Sequence, residues 1–80
     1  MKVTFEVEQA GCESCGQVIG TALGRVGEVE SIAIDEIADT ATVVLTGAAS
    51  PSAVNQALEE AGAGAGHAYR VRTGSWHPLA

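Results

Sequence analysis

The chain reads as an α+β sandwich of order β-α-β-β-α-β, and three features predict it. Apolar residues switch along the chain between a period of two and a period near 3.6. Ser50 followed by Pro51 supplies a helix start, and Gly27 and Gly62 follow the two helical stripes where stops are expected.

The elements follow in order. Val3, Phe5 and Val7 alternate with Lys2, Thr4, Glu6 and Glu8, the pattern of a half-buried strand over 2–8. Val18, Ile19, Ala22, Leu23 and Val26 form one stripe of an amphipathic helix over 16–26, closed by Gly27. Residues 29–35 and 40–46 read as two further strands, and 36–39 are a connection short enough for an antiparallel hairpin. Ser50 caps a second helix whose stripe is Val54, Ala57, Leu58 and Ala61, with Gly62 as its stop. Small residues at 63–66 make a loop, and 68–72 are the last strand. The domain is expected to span 1–73, leaving 74–80, which include Trp76, as a tail without period. This order is the ferredoxin-like βαββαβ sandwich, a four-stranded antiparallel sheet with two helices on one face. Its first loop and the loop before its last strand share one end. Cys12, Cys15 and residues 66–69 are therefore expected to be neighbours.

Eighty residues make one domain with a thin core, and a hydrophobic fraction of 46% is enough to fold it. No deep substrate pocket fits in such a chain, so an enzyme is not expected. A formal charge of −6 argues against nucleic-acid and anionic-membrane partners and favours a positively charged protein surface. The start, Met1-Lys2-Val3-Thr4-Phe5-Glu6, lacks the apolar run of a signal peptide, and no stretch reaches the roughly 18 apolar residues of a membrane span. One close pair of cysteines is not a disulfide framework. The expectation is a soluble, cytoplasmic protein with a working thiol pair.

Cys12 and Cys15 lie where strand gives way to helix. A helix N-terminus favours the thiolate through its unpaired amides and dipole. Cu(I) accepts two thiolates, so the pair alone is a sufficient site for it. Zinc takes about four ligands, and the further donors on offer are Glu13, His67, His77 or water. Glu13 opposes thiolate formation slightly and is a means of discriminating between partners. Cys12, in the loop, is expected to be the more exposed sulfur, and Cys15 to hold the ion from the helix.

Gly11-Cys12-Glu13-Ser14-Cys15, between first strand and first helix, resembles the heavy-metal-associated domain family of copper chaperones and metal-binding domains of P-type ATPases. The resemblance covers roughly residues 2–72. It implies that Cys12 and Cys15 bind a soft metal, Cu(I) first, with Zn(II) or another soft heavy metal as the alternative. It also implies delivery to a metal-transporting P-type ATPase or its metal-binding domain. Tyr69 falls where bacterial copper chaperones of the family often carry a tyrosine close to the metal, and His67 lies beside it. Ala10 stands where the family usually has methionine. An apo monomer is expected, with dimers bridged by a shared ion.

Two rival readings of the residues stay open here. A glutaredoxin-like thiol–disulfide oxidoreductase also places Cys-x-x-Cys before a helix, but it positions substrate with a cis-proline before a later strand. Pro51 and Pro78 stand at a helix start and in the tail instead. An interaction domain with inert cysteines is the other.

Overall fold

The computed structural model describes residues 2–47 and 50–79. The elements are β1 (Lys2–Glu8), α1 (Cys15–Leu23), β2 (Glu28–Asp35), β3 (Thr40–Thr46), α2 (Pro51–Ala65), β4 (Arg70–Val71) and β5 (His77–Leu79). The sheet is antiparallel in the order β2-β3-β1-β4, with β5 also on β1. This is the ferredoxin-like βαββαβ arrangement.

The core forms where the stripes converge. Val3, Phe5 and Val7 of β1 and Ala41, Val43 and Leu45 of β3 meet Ile19 and Leu23 of α1 and Val54 and Leu58 of α2. In β2 the phase changes at Glu30, where the register with β3 shifts between Val29 and Ser31. Val29 and Ile32 are an odd number of residues apart and could not share a face in a regular strand; the bulge lets both pack on the core.

Helix ends depart from expectation. Helix α1 begins at Cys15 and ends at Leu23, because Arg25 and Val26 donate to Ala22 and Leu23 in tighter turns that unwind the last residues. Gly27 does not act as a left-handed cap. A Cβ there would lie 2.8 Å from the Thr46 carbonyl, so the residue serves close packing on β3. Helix α2 starts as expected, with Ser50 Oγ accepting from Ala53 N at 3.2 Å and Pro51 in the first turn. It runs through Gly62 to Ala65 and ends at Gly66, whose φ of 75° makes the left-handed cap. Gly62 is buried, its carbonyl accepting from His67 N at 2.9 Å, and a Cβ there would collide with the His67 carbonyl. It is the place over which the chain reverses.

The last strand is broken. Only Arg70 and Val71 pair with Glu8 and Val7, where 68–72 were expected. The chain then makes a short excursion at Gly74 (φ 82°), and Ser75 rejoins β1, its Oγ accepting from Glu6 N at 3.1 Å. Residues 77–79 continue along the same edge as β5, pairing His77 with Thr4 and Leu79 with Lys2. Trp76, read from the sequence as lying in a tail without period, stacks on Phe5 with ring centroids 5.1 Å apart. Pro78 is accommodated because β5 is an edge segment.

Three exposed ion pairs, Lys2–Glu30, Glu8–Arg70 and Glu6–Arg72, fasten the open face of the sheet. Such pairs contribute at most about 1 kcal/mol each. No described helix is long and apolar enough to cross a membrane.

Candidate metal centre

The loop from Gln9 to Ser14 leaves β1 through a left-handed Gln9 (φ 58°) and is held from the side by the β2–β3 turn. Asp39 does this holding twice. Its carbonyl accepts Ala10 N at 3.1 Å and its Oδ1 accepts Gly11 N at 3.0 Å. The approach is close, since a Cβ on Gly11 would lie 2.7 Å from Asp39 Cα. Ala10 is fully buried, so the position keeps its apolar role with a smaller side chain.

Cys15 opens α1, and its amide donates to the Cys12 carbonyl at 3.2 Å, folding the loop back onto the helix start. Cys15 is fully buried, whereas Cys12 is half-buried and packs on the core from outside. The two sulfurs are joined as a disulfide, the oxidised form of the pair.

Two side chains from the far end of the chain reach these sulfurs, as the topology requires. Tyr69 Oη donates to Cys15 Sγ at 3.1 Å, and His67 Nε2 lies 3.9 Å from Cys12 Sγ. The His67 and Tyr69 rings stack at 5.2 Å with an interplanar angle of 6°. Burial pushes the Tyr69 phenol above its ordinary range, so it stays a neutral donor. Ligand atoms of Cys12, Cys15 and His67 all lie within 4.8 Å of one another, a set able to hold one ion once the sulfurs are reduced.

Of the residues singled out in the sequence, Cys12, Cys15, His67 and Tyr69 come together. Glu13 is exposed on the loop, and His77 pairs with Thr4 in the other half of β1. Sequence reasoning missed Asp39 and Ser14, whose Oγ is 3.8 Å from Cys12 Sγ. A signal for Asp39 existed: an aspartate closing a hairpin tolerates φ above zero, here 56°, and that hairpin must turn at the cysteine end.

A ferredoxin-like sandwich carrying two sulfurs at the end of its first loop, with an imidazole from the loop before β4 beside them, has the donors of a small module for binding a soft metal ion. The chain belongs to the heavy-metal-associated domain family, whose model matches residues 4–64 and so includes both cysteines. A solved structure reported under the words "Crosstalk between Cu(I) and Zn(II) homeostasis" is 28% identical, covering 86% of this chain and 94% of its own, with a TM-score of 0.58. Oxidised MerP from Ralstonia metallidurans CH34 shares the fold at 20% identity and a TM-score of 0.60, over 91% of this chain and 100% of its own. No curated protein sequence matches significantly.

Proposed function

We propose that this domain carries Cu(I), bound by Cys12 and Cys15, and passes it by thiolate exchange to a metal-transporting P-type ATPase or to that ATPase's metal-binding domain. The observation that carries the reading is the donor set, two sulfurs and one imidazole within 4.8 Å. A soft monovalent ion is satisfied by two or three such donors, whereas zinc needs about four. Exchange begins at Cys12, the more exposed sulfur, while buried Cys15 retains the ion. Tyr69 screens the Cys15 side from water and moderates release; His67 covers the Cys12 side as a third donor or as a neighbour of the bound ion. Glu13, exposed beside the pair, discriminates between partners by charge. The sulfurs bind metal only after a thiol reductant supplies two electrons and two protons to open the disulfide, so the carrier reading goes with work in a reducing compartment, the cytoplasm. The apo chain works as a monomer, and two copies share an ion when metal exceeds partner.

Zinc is the second reading, favoured by the imidazole of His67 and by the joint mention of Cu(I) and Zn(II) for the 28% identical structure. Anaerobic competition of the reduced protein against calibrated chelators, with Cu(I) and Zn(II) separately, tests the choice. Copper held far more tightly than zinc, with modest weakening in His67→Ala, is expected. Zinc held as tightly as copper would replace the copper assignment.

A further inference from the structure

Ile37 is 99% exposed, the extreme among large apolar side chains of the described residues. It stands at the turn between β2 and β3, and its exposure is built in. Asp35 Oδ1 accepts the amides of Ile37 at 3.1 Å and Ala38 at 3.0 Å, an Asx turn that fixes the tip. On the far side Asp39 ties the same turn to Ala10 and Gly11, next to Cys12. The apolar side chain is thus displayed on a fixed turn whose base is tied to the cysteine loop. It joins no part of the core, so folding has no use for it.

Acidic residues flank it in the chain and occur on the loop to which its turn is tied. Asp35, Glu36 and Asp39 lie on the turn and Glu13 on the cysteine loop, and none of them enters an ion pair among the described residues. Lys2, Arg70 and Arg72 are engaged elsewhere on the sheet. An isolated apolar residue inside an unneutralised acidic rim is the complement of a shallow apolar depression edged by Lys and Arg. Desolvating the central residue supplies affinity, and the rim supplies rate and orientation. A second copy of this chain is disfavoured as occupant, since it brings the same acidic turn and a net charge of −6.

We propose that the β2–β3 turn is the docking surface for the metal-exchange partner, with Ile37 as its apolar anchor and the adjacent carboxylates gripping a basic protein surface. The inference rests on the carrier reading and adds where the partner sits. Docking there brings the partner's sulfurs next to Cys12, because Asp39 joins the turn to the cysteine loop.

The test mixes the full, Cu(I)-loaded chain with the apo soluble metal-binding domain of the metal-transporting ATPase encoded in the same genome, and follows transfer by stopped flow. Ile37→Asp should slow transfer about tenfold while leaving Cu(I) affinity and fold unchanged, and Ile37→Val should restore it. Glu36→Lys should also slow transfer and flatten its salt dependence, more than Glu59→Lys, which makes the same charge change on α2. Ile37→Asp transferring at the unaltered rate would overturn the docking surface, as would equal effects of Glu36→Lys and Glu59→Lys. If the unaltered chain passes no copper to that domain, the carrier reading itself fails and the docking surface falls with it.

Discussion

Tyr69 donates its phenol hydrogen to Cys15 Sγ across 3.1 Å, linking the approach to β4 with the first residue of α1. Both side chains are buried, so the contact is shielded from competing water. It ties the cysteine loop to the core.

The same burial gives a pH signature. A phenol harder to ionise folded than unfolded contributes stability that is complete below the unfolded value of about 10 and is lost as pH rises through the folded one. Tyr69 is the sole tyrosine, so its phenolate absorbance reports this site alone. The midpoint should lie above that of a free tyrosine, and Tyr69→Phe should remove the alkaline loss of stability, read from denaturant midpoints. Loss of one hydrogen bond should change Cu(I) affinity by no more than about tenfold.

Gly62→Ala sets two effects against each other. Alanine favours a helix interior by about 1 kcal/mol. The new Cβ collides with the His67 carbonyl, which belongs to backbone and yields poorly. Overpacking of this kind costs up to about 3 kcal/mol, so the variant should be the less stable one by urea unfolding. His67 should shift with it, weakening its approach to Cys12.

Asp39 combines a left-handed backbone with two acceptors for the cysteine loop. Asp39→Ala removes one acceptor and strains the turn, at a cost of about 2 kcal/mol in thermal unfolding and with looser metal retention. Asp39→Asn keeps a side-chain acceptor and tolerates the conformation, so it should recover most of both.

Much of this molecule was legible because its signals are local. Alternation at Val3, Phe5 and Val7 and the stripes through Ile19, Leu23, Val54 and Leu58 each mark an element, and their order leaves few topologies. From that order alone residues 66–69 come to the cysteine end, as His67 and Tyr69 do. What escaped depends on distant partners. Trp76 packs on Phe5 because Ser75 bonds to Glu6 and returns the chain to β1 after an excursion that destroys any period. Gly62 looks like a helix stop, yet it is a place of close approach, visible only once His67 lies over it. Asp39 matters because two loops meet, and no spacing within either loop records that.

The most direct measurement is anaerobic titration of the fully reduced protein with Cu(I) against a competing chelator, alongside Cys12→Ser and Cys15→Ser. One tightly held ion per chain in the unaltered protein, lost in each single variant, is the predicted result. Full retention of Cu(I) by both single variants would contradict the assignment of these two sulfurs as the metal site.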